Sequence, residues 1–163
     1  MEVIASQGII GLLISLLTYA GLVIALGLLF DKRTMLFGLL GILASGSIGF
    51  TYYTYSYWAF HSGGTEALAS SLLLPLFGLS LSIALFTRLY SRSKRDDTKT
   101  VLRTQVKKYL PITVGLLITV SVVYYVVAGL AGLTSNLLIP YVITVLIALA
   151  WSSMSHTAKL TSK

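Results

Sequence analysis

Five long apolar runs, separated by short polar joints, constrain this chain more than any other feature of it. A helix of about 20 mostly apolar residues matches the ~30 Å hydrocarbon thickness of a bilayer. Inside lipid, only helices and closed barrels satisfy every backbone N–H and C=O without water. The runs therefore predict an all-α integral membrane bundle of five transmembrane helices, one domain over residues 1–163, with spans at about 8–30, 35–57, 67–90, 110–132 and 137–156. Composition points the same way: 56% of the residues are hydrophobic, 10% are charged and the mean hydropathy is +0.87. A water-soluble domain of this size would need far more charge to cover its surface.

The joints alternate in charge. Lys32 and Arg33 occupy the first. Arg88, Arg92, Lys94, Arg95, Lys99, Arg103, Lys107 and Lys108 lie in or beside the third, and Lys159 and Lys163 lie in the tail. The N-terminus and the second and fourth joints carry no Lys or Arg, only Glu2 and Glu66. Cytoplasmic joints are enriched in Lys and Arg, so the pattern orients the chain with its N-terminus outside and its C-terminus in the cytoplasm of a cell membrane. A four-span reading with one re-entrant run would put basic residues on both faces and is rejected. The opening Met1-Glu2 has no basic region and leads into a run of over 20 residues, so it is read as a retained first span and not as a cleaved signal.

The net charge of +7 belongs to that cytoplasmic face. It implies anionic lipid headgroups near Arg92, Lys94, Arg95, Lys99, Arg103, Lys107 and Lys108, and not nucleic acid. Residues 97–108 have a pattern of their own. Asp96 or Asp97 can cap a helix start, Leu102, Val106 and Tyr109 recur at helical spacing, and Lys99, Arg103 and Lys107 form a neighbouring stripe. The pattern suits a short interfacial helix, or simply a solvated topology signal. Pro111 is expected in the first turn of span four, where its missing N–H costs nothing.

Small residues recur at spacing four: Gly41, Ser45 and Gly49 in span two, Ala128 and Gly132 in span four, Gly21 and Ala25 in span one. Helices in lipid are held together largely by close approach over such residues, so these stripes are read as packing faces.

Chemistry is scarce. No Asp, Glu, Lys, Arg or His lies at mid-span, where it would mark a proton relay, ion site or voltage sensor. Asp31 lies at a span edge beside Lys32 and Arg33 and reads as a surface carboxylate. Cysteine is absent, which removes thiolate chemistry and Cys-ligated metals. The two histidines, His61 and His156, fall on opposite faces of the expected topology, so they cannot jointly ligate one haem. His61 follows Tyr52, Tyr53, Tyr55, Tyr57, Trp58 and Phe60, and is a weak candidate for a cofactor-binding residue. An aromatic belt at the headgroup level explains the same residues more simply. Glu66 is the single other strong ligand nearby, so no metal site is expected, and no catalytic residue or cofactor either. Tyr124 and Tyr125, read as mid-span, need partners for their phenols, and Pro75 frees a carbonyl near Ser71.

These features favour a non-catalytic integral subunit of a multi-subunit membrane complex, with other integral membrane subunits as partners and a respiratory or energy-converting assembly as the setting. The alternative is a small oligomeric transporter or channel for a neutral solute or lipid, its path lined by hydroxyls such as Ser45, Ser47, Thr51, Ser80, Ser82, Thr119 and Ser121. A membrane enzyme using His61 and Glu66 is weaker, since two groups lack an orienting third.

Overall fold

In the computed structural model the five apolar runs are five helices: α1 (Glu2–Leu29), α2 (Met35–His61), α3 (Thr65–Arg92), α4 (Thr98–Leu130) and α5 (Leu138–Thr161). The structure describes residues 2–61, 64–93, 97–132, 136 and 138–161, with side chains for 8–59, 64–93, 97–132, 136 and 138–154. No strand occurs among the described residues. The segments Gly8–Leu29, Met35–Ala59, Thr65–Arg92 and Thr98–Leu130 are each long and apolar enough to cross a membrane, which suits a multi-pass membrane protein. The described apolar part of α5, Leu138–Met154, is shorter, at about 25 Å.

The chain divides into two compact units. The first comprises Met1–Leu22 and Leu40–Asp96, the second Val23–Leu39 and Asp97–Lys163.

In the first unit, α1 and α2 run antiparallel over small residues. A Cβ built on Gly21 would lie 2.5 Å from the Ser45 Oγ, and one on Gly49 would lie 2.8 Å from the Thr18 methyl. At Gly11 the same position is taken by the Tyr52 hydroxyl. Gly21, Ser45 and Gly49 of the stripes expected in spans one and two thus lie against the neighbouring helix of this chain. Helix α3 joins through one stripe, with Pro75 and Ser82 its buried residues and Ser47 Oγ 2.8 Å from where a Gly78 Cβ would lie.

In the second unit, the end of α1 is enclosed on every side. Leu26 and Leu29 are fully buried, and Phe30 and Ala25 nearly so. Gly38 of α2 makes this possible, because any side chain there would meet the Ala25 carbonyl at 2.7 Å and Leu29 Cδ2 at 2.8 Å. Thr34, 1% exposed, fastens the turn between α1 and α2. Its hydroxyl donates to the Leu28 carbonyl (3.0 Å), its N–H to the Asp31 carbonyl (3.0 Å), and its carbonyl accepts from Gly38 N–H (3.0 Å). A stripe of α5 at spacing four (Pro140, Thr144, Ala148, Ser152) is also buried.

Two features differ from expectation. Residues 98–108 are not a separate interfacial helix but the first three turns of α4, which runs unbroken through Pro111. The segment from Lys99 to Leu110 contains no glycine and mostly good helix formers, so propensity carries the helix forward. Pro111 removes one bond, to the Lys107 carbonyl, and the helix continues past it. Gly132, expected to extend a packing stripe from Ala128, instead ends the helix. Its φ is +65°, its N–H donates to the Gly129 carbonyl, and nothing lies within 4 Å of its missing Cβ, whereas Ala128 is 2% exposed. This is the left-handed glycine that closes many helix C-termini.

Candidate functional site

Metal-ligating chemistry gathers nowhere in the described residues. No group of three His, Asp or Glu side chains comes together among them. His61 is the last residue of α2, and its side chain lies outside the described residues, as does that of His156. Glu66 is exposed in the first turn of α3, where a carboxylate complements the helix dipole. Lys94, Arg95 and Lys163 also lie outside the described residues.

Four of the seven hydroxyls that the transport alternative depends on are engaged locally. Thr51 donates to the Ser47 carbonyl (2.7 Å), Ser82 to Gly78 (2.7 Å), Thr119 to Gly115 (2.8 Å) and Ser80 to Phe77 (2.9 Å). Such bonds to the preceding turn satisfy a hydroxyl in an apolar setting without a solute or water. Ser45 and Ser47 fill the space over Gly21 and Gly78. Ser80 and Thr119 face outward from their helices. Ser71 donates to the Leu68 carbonyl at 3.0 Å.

Tyr124 finds its partner in a place the sequence did not suggest. It sits less than two turns from the end of α4, and its hydroxyl accepts from the backbone N–H of Asn136 at 3.4 Å. The Asn136 carboxamide in turn accepts from Leu138 N–H at 3.0 Å and so caps the start of α5. Tyr125 points elsewhere, 38% exposed, with its ring edge-on to Tyr124 at 5.6 Å. Tyr124 thus ties the end of α4 to the residue that caps α5.

Two surfaces remain. The first is an apolar groove of about 580 Å³ in the first unit, between α2 and α3. Leu43, Phe50, Leu74 and Phe77 form its walls, and Gly46 and Gly78 lie along it. Nothing stands within 4 Å of the missing Gly46 Cβ, so the groove is open at that point. Around it α3 leaves Leu73, Leu74, Phe77 and Ile83 between 56% and 78% exposed. Its lining and mid-helix position suit apolar groups, either lipid chains or the side chains of another helix.

The second surface belongs to the second unit. Phe30 stacks on Tyr109 with ring centroids 5.9 Å apart and meets the edge of Trp151 at 6.3 Å. The Lys108 ammonium lies 5.2 Å from the Tyr109 ring centroid, within range of a cation–π attraction. Lys99, Arg103, Lys107 and Lys108 occupy the exposed face of α4, and Lys32 and Arg33 are exposed just beyond Phe30. The periodicity of Leu102, Val106 and Tyr109 pointed to a one-sided helix. The aromatic contact with Phe30 was not legible, because it joins residues far apart in sequence. The spacing-four stripe Thr144, Ala148 and Ser152 carried a readable signal that the other stripes obscured.

The chain matches no known family model, no characterised protein and no solved structure.

Proposed function

We propose that this chain is a non-catalytic integral subunit of a larger membrane assembly. The observation that carries this reading is the face of α3 and its groove with α2. Leu73, Leu74 and Phe77 are uncovered beside a groove left open at Gly46, while Pro75 and Ser82 alone among the described residues of α3 are buried. Lipid association rewards close packing over small residues, so a groove beside a thinly attached helix suits another transmembrane helix. The absence of Asp, Glu, Lys, Arg and His from the centres of the apolar runs also supports a packing role over proton or ion chemistry. A respiratory or energy-converting complex is the proposed setting, in a cell membrane, with α5 as a fifth span, the N-terminus outside and the C-terminus cytoplasmic. The charge alternation of the joints supports that orientation.

The alternative, a small oligomeric transporter or channel for a neutral solute or lipid, draws less support. Four of the seven hydroxyls that would line its path, those of Thr51, Ser80, Ser82 and Thr119, are bonded within their own helices. Purification in mild detergent, followed by identification and stoichiometry of co-purifying proteins, separates the two. Stoichiometric integral partners are expected. A lone homo-oligomer that moves solute across liposomes would overturn the subunit reading.

A further inference from the structure

The first turns of α4 are one-sided. Thr98 is buried, and Val101, Leu102, Gln105, Val106 and Tyr109 are half-buried, while Lys99, Arg103, Lys107 and Lys108 are exposed. A helix lying in a membrane surface turns its apolar face to the acyl chains. Here that face is half-buried against protein, and the helix continues without interruption into the apolar stretch Leu110–Leu130. That stretch is about 30 Å long, the thickness of a hydrocarbon core. The start of the stretch coincides with the Phe30, Tyr109 and Trp151 cluster. Tyr and Trp concentrate at the headgroup level, so two independent features place the membrane boundary at Tyr109.

From that boundary the rise of a rigid helix sorts the four cations by height. Lys107 and Lys108 lie within about 5 Å of Leu110 along the axis, inside a headgroup layer roughly 5–8 Å deep. Arg103 lies about 10 Å out and Lys99 about 16 Å out, beyond that layer and at or past the ~8 Å screening length at physiological salt. We propose that Lys108, whose ammonium lies beside the Tyr109 ring, and Lys107 at nearly the same height bind the phosphates of anionic lipid headgroups, and that Lys99 and Arg103 do not. Lys32, exposed two residues after Phe30, adds a third positive charge beside the cluster. The proposal rests on α4 spanning the membrane and not on any partner subunit, so a failure to co-purify partners leaves it standing.

The test uses the full chain in nanodiscs of phosphatidylcholine, alone or in equal mixture with phosphatidylglycerol. The chain has two tryptophans, and a W58F background leaves Trp151 as the reporter within the cluster. Quenching of Trp151 by brominated phosphatidylglycerol, relative to brominated phosphatidylcholine, gives the preference for the anionic lipid. The unaltered site is expected to prefer phosphatidylglycerol, and K107Q/K108Q to lose roughly tenfold of that preference. K99Q/R103Q removes the same charge and should change it by less than about threefold. K107R/K108R keeps both charges and should retain the preference. Equal losses from the two Gln pairs, no preference in the starting protein, or loss in K107R/K108R would each overturn the proposal.

Discussion

The two halves of α1 have nearly the same chemistry and opposite surroundings. In the first unit, Ile9, Leu12, Leu16 and Leu17 are each more than half exposed. In the second, Leu26 and Leu29 are fully buried, and Val23, Leu28 and Phe30 lie under 9% exposure. The units differ in the same way as a whole. Buried among the described residues of the first unit are Leu40, Ser47, Thr54, Pro75 and Ser82, mostly small or hydroxylic contacts between helix faces. The second also buries large side chains, Leu26, Leu28, Leu29 and Phe30 at the end of α1 and Leu117 of α4, together with small or hydroxylic residues such as Thr113, Thr144, Ala148 and Ser152. A leucine in lipid gains little by moving from acyl chain to protein, so burial here reflects shape and close contact and not escape from water.

The contrast is most open to attack at Gly38. Replacing it with valine forces a side chain against the Ala25 carbonyl and Leu29, both parts of the enclosed helix, and backbone cannot yield as a flexible side-chain tip can. G38V is expected to cost about 3 kcal/mol or more, read by reversible unfolding in mixed micelles. A loss under about 1 kcal/mol would mean that the enclosed region is looser than described. Leu26→Ala comes next. Its fully buried side chain leaves a cavity, but the unfolded reference stays in lipid, so a cost of about 2 kcal/mol is expected, below the usual value for a soluble core.

Thr34→Ala removes the hydroxyl that donates to the Leu28 carbonyl and leaves that buried acceptor open, for about 1–2 kcal/mol. Thr34→Ser should recover most of it, which would separate the hydrogen bond from the lost methyl. At the small end stand two changes in the first unit. Leu17→Ala, 71% exposed at the start, should alter stability by less than about 0.5 kcal/mol. Gly46→Ala meets no atom within 4 Å and should be neutral or stabilising by about 0.5–1 kcal/mol. Gly46→Leu, which fills the groove between α2 and α3, sharpens the functional side of the comparison. The fold should survive while the association of co-purifying subunits falls. Unchanged partner stoichiometry in that variant would count against the groove as a docking face.

Much of this is legible in the sequence. The Gly21, Ala25, Ser45 and Gly49 spacing marked the face on which α1 and α2 meet, because small residues at spacing four have one main use in an apolar helix. The same rule misread Gly132, since glycine both packs and caps, and the choice depends on where the helix ends. It also gave no account of Gly38, whose importance comes from the Ala25 carbonyl across the hairpin. The periodicity of residues 98–110 revealed a one-sided helix but not that it continues through Pro111, because continuity depends on what covers its apolar face.

The sequence by itself determined that the chain is helical, where its five helices lie and which joints carry charge. Each of these follows from local composition: apolar length against bilayer thickness, and the cost of unpaired backbone and charge in lipid. The tertiary structure alone decided which apolar residues are enclosed and which are uncovered, where the groove opens and where the aromatic cluster closes around Phe30. In water a buried face announces itself by its contrast with a polar one. In these helices both faces are apolar, so only the contacts themselves distinguish Leu26 from Leu17.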